Sequence, residues 1–470
     1  MDKVFRVAVA GLPMIVVVSL IVLGRSLPQY FNSLQYLAGF IFLEILMLCL
    51  WFYDLLFFPL LMIAFLWAGM NIPLTQSWTT GRWVVLGIGT AVGLVRALRM
   101  GLLHRFHPLH LVAALCVISA MASAMMSAGL QLSLMKAFSL FLLFLYAASG
   151  GRLVLQNPDR FFRGLLLACE ISVYASAVAY ALGLEIWGNA NSLGAVEGVI
   201  AAPLLLWGAL VAPAKNLRLR RAISCLVSLY LVYFSVTRAA MLAAGLSMLV
   251  LLLALRRNKL ILQGSVGIGC LLAISAIATP DRFDEVKSSF VAGVIYKGHQ
   301  TEGLLGSRMT PWQETVRVIQ DNPYFGSGFG ASIYGDKPFG ETGTLAVASI
   351  SREHGSSYLA ITEWVGMLGI VPFALLIFLV IQAVVRVFLY LRRTGNASHY
   401  SVPLMMVMIA GLAHAGFEDW LFAVGYYLTV IFWVLAFLLM DVVPQTSSHR
   451  TSFVHGMRIR YATDPAVAPR

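Results

Sequence analysis

Long apolar runs separated by short polar segments make up most of the chain. Runs of membrane-spanning length fall near residues 4–24, 34–50, 53–70, 82–99, 109–128, 131–149, 163–184, 193–212, 219–236, 238–255, 259–278, 356–385, 402–415 and 420–441. Because one span needs about 20 apolar residues, the pattern predicts about 12 to 14 transmembrane helices. We interpret the first run as an anchor helix. The pattern divides the chain into helices at 1–278, a polar loop segment at 279–353, further helices at 354–441 and a polar tail at 442–470.

The composition agrees with this pattern and defines the class of protein. Hydrophobic residues make up 60% of the chain and charged residues 11%, with a mean hydropathy of +0.84. A soluble domain has roughly 25% charged residues. We therefore predict an all-α polytopic membrane protein. The five cysteines all lie inside apolar runs and lack metal-site spacing, so they indicate buried small side chains and neither disulfides nor a metal centre.

The basic residues indicate how the chain is oriented. The formal net charge is +12, and the Lys and Arg residues cluster in alternate loops, near residues 96–105, 152–163, 215–221, 256–259 and 386–393. Cytoplasmic loops are enriched in these residues. The alternation predicts cytoplasmic termini and places the polar segment on the outer face of the membrane. It does not resemble the single basic face that would bind nucleic acid.

Two arginines near the predicted outer face are candidate ligands for an anion. Arg238 lies in a short turn between two spans, and Arg308 lies within the polar segment. The planar guanidinium fork matches phosphate oxygens in bidentate fashion, so two such groups could bind a diphosphate. The simpler alternative is that each arginine pairs with a carboxylate or a lipid headgroup.

A histidine at the end of the polar segment is the candidate base. His354 could accept a proton from a sugar hydroxyl near neutral pH, with Glu353 and Glu363 as alternative bases. A lone histidine at such a position more often serves as a hydrogen-bonding group. Glu418 and Asp419 form a further acidic pair at the predicted outer face. No metal-binding motif occurs, so we expect neither a metal nor a cofactor.

Several short motifs stand out from the apolar background. They are Gly306-Ser307-Arg308 with Trp312; Asn322-Pro323 with Gly326-Ser327-Gly328; His354 with Tyr358-Leu359, Glu363, Gly366 and Gly369; the Thr237-Arg238 turn; and Gly188-Asn189-Ala190-Asn191. Together they resemble one known family, the O-antigen ligase and polymerase superfamily of bacterial membrane glycosyltransferases. The specific part of this resemblance covers about a third of the chain. The earlier helices are similar only in their hydrophobic character.

The resemblance implies a metal-independent, inverting enzyme with a C-type glycosyltransferase-like fold in the bacterial inner membrane. The donor would be a glycan on undecaprenyl diphosphate, used at the periplasmic face. Arg238 and Arg308 would bind the diphosphate, and His354 would help to deprotonate the acceptor hydroxyl. Asn191, Trp312 and Glu363 would be further substrate-binding candidates. Other polysaccharide assembly proteins would be candidate partners.

One departure from the family pattern leaves the reaction partly open. The family often has His-Asn where this chain has His354-Gly355, and in such a variant Glu353 could replace the histidine as base. We favour polymerisation of exopolysaccharide or O-antigen repeats, with ligation of glycan to lipid A core as the alternative. A lipid-glycan flippase and a non-catalytic assembly scaffold remain candidates from other classes.

Overall fold

The apolar pattern gives a bundle of helices in this computed structural model, which describes residues 34–72, 75–100, 106–184, 186–187, 189–259, 262, 306–331 and 353–444. No strand occurs in those ranges. The main helices are α1 (Leu34–Phe52), α2 (Phe57–Gly69), α3 (Thr75–Arg99), α4 (Pro108–Met125), α5 (Leu130–Ala148), α6 (Pro158–Ala181), α7 (Ala190–Leu210), α8 (Lys215–Phe234), α9 (Arg238–Ala254), α10 (Gly306–Asp321), α11 (Ser357–Thr394), α12 (Ser401–Ala415) and α13 (Tyr427–Val442). The predicted all-α fold is confirmed.

Length and hydropathy qualify several of these helices as membrane spans. In the part of the chain that is described, six helices are long and apolar enough to cross a bilayer, and α1 with α2 forms a seventh candidate bent by 120°. Helices α9, α12 and α13 are shorter but apolar. The protein is therefore a multi-pass membrane protein. The predicted spans 4–24 and 259–278 lie wholly or almost wholly outside the described residues, as do most of segment 279–352 and the tail from 445, so the predicted helix count stays a prediction.

Helices α7, α12 and α13 form the centre of the bundle. In the most apolar stretch of α7, 89% of the residues are buried, whereas in that of α11 only 28% are. Helices α12 and α13 are buried along nearly their whole length. Helices that are apolar on all sides belong in a core or a membrane. The flanking helices α9 and α11 pack on α12, and α11 also packs on α4.

Ion pairs mark one end of the bundle. Arg152 forms two hydrogen bonds to Asp441 near the end of α13, with N···O distances of 2.6 and 2.5 Å. Arg96, near the end of α3, pairs with Asp54 and donates to the carbonyl of Leu50 at 2.9 Å. Helices α13 and α3 therefore begin at the other end of the bundle. We call that other end, where α11 and α13 begin and α12 ends, the site end.

A break in α11 receives part of the polar segment. Gly366 interrupts the helix with φ 67° and ψ −178°, which is open to glycine because it lacks a Cβ. The break frees the carbonyls of Glu363 and Trp364, which accept hydrogen bonds from the backbone N–H groups of Ser327 (2.9 Å) and Gly328 (3.1 Å). Every buried backbone group needs such a partner, above all in a membrane.

The backbone N–H groups on the C-terminal side of the break find their acceptors in the same polar segment. The N–H of Met367 donates to the carbonyl of Pro323 at 2.8 Å, and the N–H of Leu368 donates to that of Tyr324 at 3.2 Å. A Cβ on Gly326 would lie 2.4 Å from the carbonyl oxygen of Glu363. The Asn-Pro and Gly-Ser-Gly motifs thus fix the polar segment to the first turns of α11.

Candidate active site

The site is built where two connecting segments meet at the site end. Residues 353–356 lead into α11, and residues 416–426, which we call the α12–α13 loop, join α12 to α13. Ser357 links the two segments because its hydroxyl donates to the carbonyl of Glu418 at 2.5 Å and accepts from the N–H of Leu421 at 3.0 Å. Ser357 therefore holds the acidic loop against the start of α11.

His354 lies between two carboxylates. Its Nδ1 is 2.9 Å from Oδ2 of Asp419, and the same oxygen accepts the backbone N–H of His354 at 3.0 Å. Its Nε2 is 3.4 Å from Oε1 of Glu363 on α11. The imidazole also makes an edge contact with the Trp364 ring, and the His354 residue is fully buried. The structure therefore brings together two of the candidate residues, His354 and Glu363, and adds Asp419.

This arrangement raises the pKa of the histidine. Burial lowers the pKa of His354, but the hydrogen bonds and charges of Asp419 and Glu363 outweigh burial, so the pKa lies above its usual value. Burial likewise raises the pKa of Asp419, but His354 holds it below its usual value. A protonated imidazole that faces a carboxylate on each side has no lone pair to accept a further proton. His354 in this conformation is suited to orienting Asp419.

Arg308 pairs with two carboxylates. Its guanidinium contacts the carboxylates of Glu353 and Glu418. The Arg308 side chain is 12% exposed and that of Glu418 is 16% exposed, whereas that of Glu353 is 59% exposed. Burial raises the pKa of Glu418, although the Arg308 charge acts in the opposite direction. Glu353, the alternative candidate base, thus lies at the surface as a partner of Arg308.

Arg238 reaches the site from a different part of the chain. It begins α9, two residues after Val236, whose φ of 51° is rare for a β-branched residue. Thr237 fixes the turn because its hydroxyl lies 3.3 Å from Oδ1 of Asn191. The positive charge of Arg308 acts on the Arg238 guanidinium, so the two arginines are within electrostatic range of each other. Asn191 supports the Arg238 turn.

Trp312 and Gly355 explain the His-Gly departure from the family pattern. The indole Nε1 of Trp312 donates to the carbonyl of Gly355 at 3.0 Å. Gly355 has a φ of 67°, and a Cβ there would lie 3.0 Å from the Trp312 ring and 3.4 Å from Arg308. Asparagine is among the few other residues that adopt this backbone conformation readily. Gly355 therefore has a backbone conformation that asparagine also adopts, but a Cβ at this position would press on the Trp312 ring.

Glu418 and Asp419 are the residues whose roles the sequence did not reveal. Their signal was two adjacent acids between two apolar runs, which alone cannot indicate that one acid faces Arg308 and the other His354. No three or more His, Cys, Asp or Glu side chains among the described residues are arranged to bind a metal. The site therefore consists of two arginines, a buried histidine and carboxylates from the ends of several helices.

These features define a multi-pass membrane protein with a polar site at one end of its bundle. Residues 223–374, about a third of the chain, match the family described as O-antigen ligase. The predicted resemblance to the O-antigen ligase and polymerase superfamily is thereby confirmed, and with it a membrane glycosyl-transfer function of that type. The matched region contains Arg238, Arg308 and His354, whereas Glu418 and Asp419 lie beyond it. No curated protein matches the chain.

Proposed function

We propose that the protein transfers a glycan from undecaprenyl diphosphate to a sugar hydroxyl at the periplasmic face of a bacterial inner membrane, most simply to polymerise repeat units. The observation that supports this most directly is the approach of Arg238 and Arg308 beside the Asp419–His354–Glu363 cluster. Two guanidiniums suit a diphosphate, and the carboxylates supply a proton acceptor. The basic residues Arg96 and Arg152 at the opposite end support the periplasmic placement of the site end.

Donor binding requires an exchange of partners at Arg308. Glu353 is the partner that leaves, because a largely exposed ion pair contributes only about 0–1 kcal/mol. Glu418 is much less exposed and stays. The diphosphate then accepts hydrogen bonds from Arg308 and Arg238. As the bond between the sugar C1 and the phosphate oxygen breaks, the electron pair goes to the diphosphate, and both arginines stabilise the developing charge.

The acceptor hydroxyl attacks C1 from the opposite side, which inverts the anomeric configuration. The acceptor proton passes to Asp419, whose side chain is 29% exposed and can reach substrate, whereas that of His354 is 1% exposed. His354 orients Asp419, and Glu363 supports His354 from the other side. The step balances with a glycosidic bond formed, a phosphoester bond broken and one proton gained by the protein. No metal takes part in this scheme.

The second candidate function is ligation of the glycan to lipid A core. It is favoured by the description of the matched family as O-antigen ligase. The His354-Gly355 variant does not exclude it, because Gly355 and asparagine suit the same backbone conformation. Both candidates use one donor and one chemical step, and they differ in the acceptor.

The decisive experiment uses purified protein, undecaprenyl-diphosphate repeat unit and a chelator, with and without lipid A core. We expect a ladder of longer glycans without core. Transfer only when core is present would establish the ligase, and the absence of product in both reactions would overturn glycosyl transfer. In cells, Arg308→Ala should abolish polymer while the repeat unit still reaches the periplasm. Repeats retained in the cytoplasm would favour a flippase, and normal polymer would favour a scaffold without catalysis.

A further inference from the structure

Arg82 differs from the other arginines in its surroundings. It lies on α3 near the site end, its Nη1 donates to the carbonyl of Gly425 at 2.6 Å, and its Nε is buried without a hydrogen-bond acceptor. No carboxylate among the described residues pairs with it. A carboxylate does pair with Arg96, Arg152, Arg221 and Arg308. Arg82 is half-buried, and a partly desolvated guanidinium without a counter-ion is costly. Among the described residues Arg82 therefore has a place for an anionic partner that no carboxylate fills.

Aromatic rings flank Arg82 near the start of the α3 span, where we expect lipid headgroups. Its Cζ lies 5.0 Å from the ring centroid of Trp83 and 5.8 Å from that of Phe65. Tyr426 and Tyr427 follow Gly425 directly. Tryptophan and tyrosine are enriched where a bilayer meets water, and the α3 span begins at Thr79, one turn before Arg82. An anion that reaches a guanidinium at this level is most simply the phosphate of a lipid.

The α12–α13 loop connects Arg82 to the candidate active site. Arg308 contacts this loop at Glu418, and Arg82 contacts it at Gly425. The seven residue steps from Glu418 to Gly425 span at most about 25 Å even when fully extended. Backbone hydrogen bonds from Ala423 to Trp420 and from Tyr426 to Ala423 form turns that shorten this distance. Asp419 lies between the two contacts. The loop therefore has a guanidinium at each side of the proposed proton acceptor.

We propose that Arg82 binds the phosphate of the lipid-borne acceptor, at a position separate from the donor diphosphate on Arg238 and Arg308. The inference rests on the proposed function, in which either acceptor is a lipid with phosphate groups. Bound there, the acceptor lipid is held at one side of Asp419 and the donor at the other. The planar fork of Arg82 suits a phosphate better than a lysine ammonium would.

Steady-state kinetics test this assignment in a phosphate-free maltoside detergent. Arg82→Gln should raise the KM for acceptor about tenfold, as expected for loss of a charge-assisted hydrogen bond, and leave the KM for donor within twofold. Arg82→Lys keeps the charge and should stay within about threefold of the parent protein. The matched control is Arg99→Gln on the same helix, where the arginine stacks on Trp51 at the opposite end; it should change neither constant.

Three kinetic results would overturn the proposal. Wild-type constants in Arg82→Gln would show that no anion binds, and a raised donor KM would assign Arg82 to the donor. Equal defects in the Lys and Gln variants, with equal losses of thermal stability, would show a structural role through Gly425. Phosphatidylglycerol distinguishes the source of the phosphate: the effect should be the same with and without it. An effect seen only in its presence would identify a bulk headgroup and exclude the acceptor.

A binding measurement separates this proposal from the proposed function. Native mass spectrometry with undecaprenyl phosphate as the probe should show two equivalents on the parent protein. Arg82→Gln should lose one equivalent, and the double variant Arg238→Ala, Arg308→Ala should lose the other. If purified protein transfers no glycan, the proposed function fails while this measurement still decides on Arg82. Equal stoichiometry in the parent protein and Arg82→Gln would refute the Arg82 site.

Discussion

The two ends of the bundle both contain an arginine, an aspartate and a histidine, yet they are built differently. At the opposite end, Arg152 forms two hydrogen bonds to the single carboxylate of Asp441, and both side chains are less than 10% exposed. Nε2 of His107 lies 3.4 Å from Oδ1 of the same carboxylate. At the site end, Arg308 contacts two carboxylates, and one of them, Glu353, is largely exposed. A closed pair with matched hydrogen bonds is a structural joint between helices. An arginine with a second, exposed partner can exchange that partner for a ligand.

The largest expected effect comes from replacing Asp419 at the site end and, as a control, Asp441 at the opposite end. Asp419→Asn should lower kcat by about 10² to 10⁴, the usual contribution of a general base. Its loss of stability should be smaller than that of Asp441→Asn, because His354, unlike Arg152, can release its proton when the carboxylate is removed. Asp441→Asn, its matched control, should leave the kcat of the folded protein unchanged but lower the free energy of unfolding by about 3 kcal/mol, because Arg152 loses a buried counter-ion. Glycosyl transfer and thermal unfolding in detergent measure the two effects. Equal loss of activity in both variants would contradict the assignment of separate roles.

The second prediction concerns the exposed partner of Arg308. Glu353→Gln should lower the KM for donor about three- to tenfold, since the diphosphate no longer displaces a charged carboxylate from the guanidinium. Asp321→Asn, a change at an exposed acid at the end of α10, is the control for a general change in surface charge. Donor titration at saturating acceptor gives the constant. A fall in kcat of a hundredfold or more in Glu353→Gln would instead make Glu353 the base.

The helices and most of the candidate site could be predicted from the sequence, whereas the arrangement around His354 could not. Apolar runs indicate membrane helices because backbone groups in a bilayer must be paired internally. Arg238, Arg308 and His354 stood out as polar residues at the ends of such runs. Asp419 and Glu418 reach His354 and Arg308 across 65 and 110 residues of sequence. The packing of α12 and α13 determines these long-range contacts, and the spacing of residues within one stretch of sequence does not reveal how distant helices pack.

The break at Gly366 was equally hidden. A single glycine inside an apolar run is compatible with an unbroken helix, and the sequence predicted one span near residues 356–385. The glycines from Gly326 to Gly330 lie in the polar segment, and no pattern in the sequence links them to Gly366. Their purpose follows from the structure, in which Ser327 and Gly328 pair with the carbonyls that the break exposes. Close approach of two backbones explains both sets of glycines.

The third prediction concerns the pH dependence of stability that His354 gives to the site end. Carboxylates on both sides raise the pKa of His354 in the folded protein. Its contribution to stability is therefore fully present below about pH 6.5, the unfolded value, and is lost as the pH rises through the folded pKa. The contribution is about 1.4 kcal/mol for each unit by which the pKa is raised. His354→Gln should flatten this part of the stability profile measured by thermal unfolding between pH 6 and 9, and an unchanged profile would show that His354 is neutral.

The smallest effect is expected where the chain departs from its family. Gly355 at the site and Gly395 at the opposite end of α11 share a φ of 67°, but only a Cβ at position 355 meets neighbours, Trp312 and Arg308. Gly355→Asn should keep activity within about threefold, because asparagine tolerates this conformation, and Gly395→Asn should have no effect on activity. Gly355→Val should cost at least about 1 to 3 kcal/mol of stability through backbone strain. A hundredfold loss of transfer in Gly355→Asn would mean that the His-Gly pair defines a site different from that of its His-Asn relatives.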